Sequence, residues 1–353
     1  MKLTLGKVKS AVGLDIGSSS IKLVELKPTK KGYRLVNLGM APLSPETIVD
    51  GAIMNSPAVL DGIKGLLTEL KVKTREVITS VSGTSVIIKK INVPMMTEDE
   101  LNTQIQWEAE QYIPFDINDV NVDFQILGPS DEGQMSVLLV AVKKDMINDY
   151  TGVLTESGLN PVVVDIDAFA VGNMYEINYP LAEGEVLGLV NIGSNFININ
   201  VCRDGVSIFT RDISSGGASY TEEIQRQLSL SFNEAEAVKK GAGVEGENTP
   251  KEVFDIIGVV SDSISTEIQR SMDFFGTTNP GVSVNRLCLC GGASRTHKLL
   301  EAVSARLGIP TELIDPFKKV ECDPKIFDPK YVANLSSASG VAVGLALRRQ
   351  GDR

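Results

Sequence analysis

The stretch VGLDIGSSSIK, which spans Val12 to Lys22, decides the fold of this chain. Its apolar runs predict one strand before Gly17 and a second strand after it, joined by a tight turn. Because glycine has no side chain, such a turn lets a ligand approach the backbone, and its successive N–H groups form a concave anion site. Hydroxyl and ammonium groups suit phosphate, and a carboxylate suits Mg²⁺ held through water, although similar turns also occur without a ligand. The side chains of these kinds around the turn are Asp15, Ser18, Ser19, Ser20 and Lys22.

A second copy of this pattern stands in the other half of the chain. The stretch LVNIGSNFI, from Leu189 to Ile197, repeats the strand, the glycine turn and the following strand, with Asn191 in the place of Asp15. The two copies lie 191 − 15 = 176 residues apart, which is half of the 353-residue chain. Each copy enters a predicted β-hairpin, and Asp204-Gly205 is typical of the second hairpin's turn. The repeat predicts two similar domains whose turns face each other across a cleft and hold a polyphosphate.

Composition and charge argue against several classes of function. Hydrophobic residues make up 42% of the chain and charged residues 22%, which is ordinary for a soluble globular protein. The net charge of −11 argues against general nucleic-acid binding, because the phosphate backbone requires a basic face. The first nine residues lack the apolar core of a signal peptide, and no apolar run is long enough to span a bilayer. We therefore expect a cytoplasmic protein that does not bind nucleic acid.

The cysteine and histidine content argues against zinc binding and against nucleophilic catalysis. Cys288 and Cys290 alternate along a predicted strand, but four cysteines and one histidine are too few and too scattered for a zinc site. Buried structural thiols are the simpler interpretation. His297 would have to serve alone, which argues against a Ser-His-Asp or Cys-His mechanism.

Residues 87–161 have the pattern of a separate βαββα unit between the two repeats. A helix predicted over Asp50–Leu70 precedes this unit and belongs to the first repeat. Inside the unit, Thr97 and Glu100 form a capping box that opens a helix, and two strands and a last helix follow. No catalytic constellation occurs there, so we expect an interaction module. Its large apolar residues fit either a partner surface or core packing; they are Trp107, Tyr112, Ile113 and Phe115.

Two carboxylates and a small-residue helix are further features of interest. Asp165 and Asp167 alternate on a predicted strand, so they are expected to share a face. They would either handle a cation beside the cleft or cap the following helix. Small residues over 336–346 predict a helix that packs closely against its neighbours at a hinge between the domains.

Three further elements in the second half suit a nucleotide. Gly216-Gly217 precede a predicted helix, whose N-terminal N–H groups attract phosphate. Glu236 and Lys239 lie three residues apart on a short helix, where an ordinary ion pair is the simplest interpretation. A buried strand runs into Gly291-Gly292, and the missing side chains would let a flat base lie against the backbone.

These elements, in this order, resemble the actin-like ATPase superfamily, with its two phosphate motifs, adenosine motif and connecting helix. The βαββα unit is similar to the bacterial branch that contains FtsA and PilM. Val12–Leu26 and the stretch Tyr112-Ile113-Pro114-Phe115 are most similar to the PilM family of type IV pilus assembly proteins. The resemblance implies an α/β fold: an actin-like (ribonuclease H-like) duplicated two-domain fold with a βαββα subdomain inserted in the first domain.

The same resemblance implies where the domains begin and end. Residues 1–86 and 162–185 would form the first domain together with a C-terminal helix over 336–349. Residues 87–161 would form the inserted subdomain, and 186–335 the second domain, with a helical subdomain at about 222–280. We carry these limits as predictions.

The resemblance also implies ATP and Mg²⁺ as cofactors and assigns residues to them. Asp15 would organise Mg²⁺, while Gly17, Ser18, Ser19, Ser20 and Lys22 would hold the β- and γ-phosphates. The opposite domain would contribute Gly193, Ser194 and Asn195 to the phosphates, and Gly216 and Gly217 to phosphate or ribose. Ribose and adenine would contact Glu236 and Lys239, and the base would lie beside Gly291, Gly292 and Ser294. No catalytic residue is assigned, and Asn191 stands where an acid is usual, so we expect slow or absent hydrolysis.

Implied partners follow from the family as well. PilM relatives bind the cytoplasmic N-terminal tail of the membrane protein PilN between the first domain and the insert. This implies a location at the bacterial inner membrane through PilN, with the pilus motor ATPase, platform proteins and self-association as further contacts. Two alternatives stay open: an FtsA-like cell-division filament protein, and a small-molecule kinase that uses Asp165 or Asp167 as base.

Overall fold

The computed structural model describes residues 11–130, 133–241, 249–349 and 351. Its strands, numbered in chain order, fall into two large sheets and two small ones. They are β1 Val12–Ile16, β2 Ser20–Thr29, β3 Gly32–Pro42, β4 Ile48–Val49, β5 Ala52–Ile53, β6 Glu76–Val81, β7 Val86–Pro94, β8 Val120–Pro129, β9 Gln134–Lys143, β10 Asn160–Ile166, β11 Val186–Ile192, β12 Ile197–Arg203, β13 Val206–Ile213, β14 Arg286–Cys290, β15 Thr311–Leu313 and β16 Val320–Glu321.

The α-helices of the described residues are numbered in the same way. They are α1 Ser56–Glu69, α2 Glu98–Glu110, α3 Lys144–Glu156, α4 Asp167–Asn178, α5 Gly217–Leu228, α6 Phe232–Gly241, α7 Lys251–Thr278, α8 Leu299–Leu307, α9 Pro329–Ser336 and α10 Gly340–Leu347. Across the described part of the chain, no helix combines the length and the apolar character that a membrane crossing requires.

The two large sheets repeat one topology. The first sheet has the strand order β10-β6-β1-β2-β3-β16, and the second has β13-β12-β11-β14-β15. In each, an antiparallel three-stranded meander begins with the strand that carries the glycine turn. That first strand then pairs in parallel with a later strand, β6 or β14, and a second parallel strand follows. The predicted duplicated α/β fold is therefore confirmed.

The inserted unit has the predicted βαββα order and a three-stranded sheet of its own. Its strand order is β7-β9-β8, with antiparallel pairing throughout. Helix α2 begins with the predicted capping box, in which Thr97 and Glu100 satisfy each other's backbone N–H groups, and it buries its apolar face on this sheet. Helix α3 instead packs its buried residues into the core of the first sheet. The last helix of the insert thus joins the insert to the first sheet.

Helices α4 and α10 lie between the two large sheets and close a core that both sheets share. The small residues of α10 allow an unusually close approach. A Cβ atom on Gly344 would lie 1.7 Å from the carbonyl oxygen of Ala170 in α4, and one on Gly13 of β1 would lie 2.2 Å from that of Ala342 in α10. Backbone therefore touches backbone at both points, as the small-residue pattern predicts.

The predicted helix over Asp50–Leu70 is wrong at its N-terminus. The chain first makes the short hairpin β4–β5, in which Asp50 and Gly51 both have positive φ angles, and α1 begins only at Ser56. Asn55 caps this helix by accepting the N–H of Ala58. The error arose because the hairpin is too short to interrupt the apolar periodicity.

The close approach of α10 to α4 gives a testable consequence. Replacing Gly344 by alanine forces the two helices apart, so we expect the free energy of unfolding to fall by about 2 kcal/mol or more, as in overpacked cores. Urea denaturation measures this change. Gly65→Ala in α1 is the matched control, because a Cβ there meets nothing within 4 Å and alanine favours a helix by about 0.5–1 kcal/mol. Equal stability of the two variants would contradict the close contact.

Candidate functional site

The two repeated turns have the same backbone geometry. The N–H of Gly17 donates to the carbonyl oxygen of Ser20 at 3.1 Å, and the N–H of Gly193 donates to that of Phe196 at 2.9 Å. Both hydrogen bonds are offset by 176 residues, since 193 − 17 and 196 − 20 give the same number. A Cβ on Gly193 would lie 2.9 Å from the Phe196 backbone oxygen, so that position has no room for a side chain. At Gly17 the nearest atom, 2.8 Å away, is Nζ at the end of the flexible Lys22 side chain.

Both turns line a single cleft between the two large sheets. The cleft is open to solvent, and about 660 Å³ of space lies among its lining atoms. Many of the residues that the sequence assigned to a nucleotide meet there. They are Asp15, Gly17, Ser18, Ser19, Lys22, Asn191, Gly193, Ser194, Asn195, Gly291 and Gly292.

Asp15 and Lys22 face each other at the mouth of the first turn. They lie opposite in the β1–β2 ladder, and Lys22 Nζ lies 3.2 Å from Asp15 Oδ2, with both side chains largely buried. The pairing places one positive and one negative group beside the N–H groups of the turn. An ammonium group can pair with phosphate, and a carboxylate can bind the cation that accompanies it.

Asp167 adds a second carboxylate to the cleft. It is the first residue of α4, and Ser80 Oγ donates to its Oδ1 at 2.5 Å. Burial, together with the charge of Asp15 and despite the hydrogen bonds from Ser80 and Ser82, raises the pKa of Asp167 to about 7. The two carboxylates therefore repel each other across the cleft, and a cation placed between them would relieve the repulsion.

Asp165 does not share a face with Asp167, so that prediction is wrong. Strand β10 ends at Ile166, so the alternation stops before Asp167 enters the helix. Asp165 instead forms a buried ion pair with Arg348, whose Nε lies 2.9 Å from Asp165 Oδ2. Of the two, Asp167 lines the cleft.

The donor set fits Mg²⁺ that arrives with phosphates. Within the described ranges, no group of three or more His, Cys, Asp or Glu side chains is arranged to hold a metal. Mg²⁺ is commonly held by one or two carboxylates together with substrate phosphates and waters. Asp15 and Asp167 supply those carboxylates, and Asp50 lines the same cleft.

The turn after β14 forms the wall on the side predicted for the base. Gly291 has a φ of +92°, and a Cβ there would lie 2.4 Å from the Ile192 carbonyl oxygen, so only glycine fits. Its N–H donates to the Ser337 oxygen at 2.7 Å. Ser294 is buried outside the cleft lining and donates its hydroxyl to the Gly291 oxygen at 2.8 Å. Ser294 therefore holds the glycine turn in place.

The start of α5 supports the second turn. The N–H of Gly217 donates to the Gly193 oxygen at 2.8 Å, and the N–H of Ala218 donates to the Ser194 oxygen at 2.9 Å. A Cβ on Gly216 would lie 2.5 Å from the Ser194 oxygen. These helix N–H groups are thus already used, and the two glycines lie behind the turn instead of lining the cleft.

Glu236 and Lys239 of α6 form a polar cluster against the first turns of α5. Lys239 Nζ donates to Thr221 Oγ1 at 2.7 Å, to the Gly217 oxygen at 3.1 Å, and to Glu236. Burial, opposed by the contact with Glu236, lowers the pKa of Lys239. The pair ties α6 to α5 and lies outside the cleft lining. Ser20 also lies outside it, since it is buried in the β2–β3 ladder.

Several cleft residues escaped the sequence interpretation. Tyr150 belongs to α3 of the insert, and its hydroxyl donates to the Gly51 oxygen at 3.0 Å. Through this residue the insert contributes to the lining of the cleft. The signals were weak because these residues come from short loops and from a helix of another subdomain. The additional cleft residues are Asp50, Gly51, Ser82, Tyr150, Phe196 and Asn198.

The duplicated sheets and the shared cleft define an actin-like ATPase fold. The model of the family described as type IV pilus assembly protein PilM matches residues 13–350. The chain belongs to this family.

Two solved structures and one curated relative agree with that fold. The chain is similar to a chain of the PilM-PilN type IV pilus biogenesis complex, with a TM-score of 0.88, 31% identity, and coverage of 98% of this chain and 100% of that one. MreB5 of Spiroplasma citri bound to ADP gives a TM-score of 0.52 at 14% identity, covering 95% of this chain and 94% of that chain, and shows the fold alone.

The curated relative is the cell division protein FtsA of Bacillus subtilis (strain 168). It is 22% identical to this chain over 290 residues, which cover 73% of this chain. The match spans 64% of the relative's length, just under two thirds.

The raised pKa of Asp167 predicts a pH-dependent stability. Because this pKa lies above the ordinary value of 3.8, the carboxyl stabilises the unliganded fold while protonated, and that stability is lost as pH rises through about 7. Asp167→Asn keeps an acceptor for Ser80 and removes the charge. We expect its melting temperature to gain on the wild type between pH 5 and pH 8, corresponding to about 1–2 kcal/mol.

Asp165→Asn is the control for this measurement. It removes a carboxylate that is paired with Arg348, so we expect a loss of stability at pH 8 instead of a gain. A difference between Asp167→Asn and wild type that stays constant with pH would rule out the assigned protonation.

Proposed function

We propose that the cleft binds ATP together with Mg²⁺ and that the chain acts as a nucleotide-controlled scaffold in type IV pilus assembly. The observation that carries this proposal is that the two equivalent turns, at Gly17 and Gly193, line one cleft, with Asp15 and Lys22 beside the Gly17 turn. Two glycine turns that line the same space suit a polyphosphate, because each turn could contact a different phosphate group.

Each side of the cleft has its own role in this proposal. Ser18, Ser19 and the backbone of the first turn would hold the β- and γ-phosphates, with Lys22 as counter-charge. Ser194 and Asn195 would contact the phosphates from the opposite turn. Asp15 would bind Mg²⁺ through water, with Asp167 beside it, and the bound ion would neutralise part of the phosphate charge.

We propose that hydrolysis is slow or absent. Asn191 lies where the fold usually has an acid, and its side-chain amide has no basic group that could take a proton from water. Its Nδ2 donates to Asn198 Oδ1 at 2.9 Å. Asp167 is the ionisable group left beside the first turn with a pKa near neutrality. Its hydrogen bond from Ser80 holds it at the side of the cation site.

We further propose that the cytoplasmic N-terminal tail of PilN binds between the first domain and the inserted subdomain of residues 87–161. The similar solved chain comes from a complex of PilM with PilN. Helix α3 supplies the physical link to the cleft: it packs in the first core, and Tyr150 reaches the cleft wall. Nucleotide occupancy can therefore change the position of the insert and the affinity for the tail.

This scaffold would lie at the cytoplasmic face of the inner membrane through PilN. Motor and platform proteins of the pilus machine are proposed as further contacts, as is self-association. The domain limits predicted from the sequence are kept as part of the proposal: 1–86 and 162–185 with the helix over 336–349, the insert 87–161, and 186–335 with a helical subdomain at about 222–280.

The Mg²⁺ and phosphate assignment is tested with Asp15→Asn. Loss of the carboxylate should weaken binding of magnesium ATP by about 100-fold, measured by calorimetry, while the unfolding midpoint stays close to wild type. Glu321→Gln is the matched control, because it breaks the exposed ion pair with Arg34 at the far edge of the same sheet. Unchanged nucleotide affinity in Asp15→Asn would reject the site.

The scaffold proposal is tested by titrating the full chain with a PilN-tail peptide, with and without magnesium ATP. We expect the nucleotide to change the peptide affinity several-fold, whereas a scrambled peptide shows no binding. Phosphate release and sugar phosphorylation are assayed in parallel. Rapid turnover or phosphorylation of a sugar, with no peptide binding, would favour a kinase over a scaffold.

A further inference from the structure

A polar ladder crosses the second sheet from the cleft to its edge. Asn191, Asn198 and Asp212 stand opposite one another on the neighbouring strands β11, β12 and β13. Asn191 Nδ2 donates to Asn198 Oδ1 at 2.9 Å, and Asn198 Nδ2 donates to Asp212 Oδ1 at 2.9 Å. The first two residues line the cleft, so the ladder starts at the proposed nucleotide site.

The ladder ends on the opposite domain. The second carboxylate oxygen of Asp212 accepts the backbone N–H of Gly83 at 2.7 Å, and Gly83 lies in the loop between β6 of the first sheet and β7 of the insert. Gly83 has a φ of +96°, and a Cβ there would lie 3.1 Å from the ring of Phe196 in the second turn. The second domain therefore holds this loop through a charge-assisted hydrogen bond and an aromatic contact.

We propose that the hydrogen bond between the Gly83 N–H and the Asp212 carboxylate, called the clasp, couples nucleotide binding in the cleft to the inserted subdomain. The inference rests on the proposed nucleotide site and names the residues through which that site acts on the insert. A ligand that contacts Asn191 or Asn198 fixes the ladder, and the ladder fixes the Asp212 carboxylate against the Gly83 N–H. Asp212 is thus a positioning residue and does not contact the phosphates itself.

The connection from the clasp to the insert is direct along the chain. Three residues after Gly83, strand β7 begins, and it forms one edge of the three-stranded sheet. Strand β13, which carries Asp212, also packs next to β7. When the two domains separate, the Gly83 bond breaks and β7 loses its support on that side. When they close, β7 is held, and with it the edge of the insert.

The clasp is tested by hydrogen exchange of the Gly83 amide and of β7 in the full-length chain. Asp212→Ala removes both acceptors, so exchange at Gly83 should speed up by about tenfold or more even without nucleotide. Magnesium ATP should slow exchange over 82–94 in the wild type, and this slowing should be lost in the variant. Nucleotide affinity should fall by about tenfold, the usual size of such coupling.

Two further variants make the result specific. Asp212→Asn keeps a carbonyl acceptor, and reversing the amides of Asn198 and Asn191 preserves the ladder, so this variant should behave nearly as wild type. Ser207→Ala is the control on the same strand: it removes the hydrogen bond to Asn200, which is not part of the ladder, and should leave exchange over 82–94 unchanged.

The outcomes separate the clasp from the nucleotide proposal. If wild type binds no nucleotide, the proposed function fails, while faster basal exchange at Gly83 in Asp212→Ala alone would still support the clasp as a domain contact. If Asp212→Ala exchanges at Gly83 as slowly as wild type, the clasp is overturned. It is also overturned if nucleotide protects 82–94 equally in both proteins.

Discussion

The structure depends on the contact of helix α10 with helix α4 and strand β1, where backbone meets backbone. Gly344 lies against the Ala170 carbonyl, and Gly13 lies against the Ala342 carbonyl. A side chain at Gly344 would push α10 away from α4, and one at Gly13 would push α10 away from β1. Both helices contribute to the core that the two large sheets share. Their close packing fixes the angle between the sheets, and with it the distance between the two glycine turns.

Once the sheets are fixed, the cleft follows from the repeat. Equivalent turns, each closed by one backbone hydrogen bond, lie on equivalent strands of the two sheets and line one space. The same geometry forces Asp15 and Asp167 close together, and burial raises the pKa of Asp167. Two carboxylates held this close destabilise the unliganded fold when both are ionised, and a cation bound between them would remove that cost. Local instability of this kind is typical of binding sites.

Much of the fold could be predicted from the sequence, because its signals are local and repeated. The glycine turns at Gly17 and Gly193 share one pattern, and the capping box at Thr97 marks a helix start without reference to the rest of the chain. The predicted helix over Asp50–Leu70 begins too early, since the apolar periodicity of α1 outweighs the Asp50-Gly51 turn signal that marks the short hairpin.

The candidate site was less accessible to sequence reasoning, since it depends on contacts between distant elements. Strand β10 ends at Ile166, between the two carboxylates. For this reason Asp165 pairs with Arg348, whereas Asp167 faces the cleft. The Gly216-Gly217 pair alone does not indicate that the Gly217 N–H donates to the Gly193 oxygen instead of to a ligand. The link from Asp212 to Gly83 joins residues 129 positions apart and has no motif at all.

The most direct test of the account is a crystal structure of the chain grown with magnesium and a non-hydrolysable ATP analogue. We expect one triphosphate in the cleft, contacted by backbone N–H groups of both the Gly17 turn and the Gly193 turn, with the cation beside Asp15. A nucleotide held by one turn only, or bound elsewhere on the chain with the cleft vacant, would contradict it.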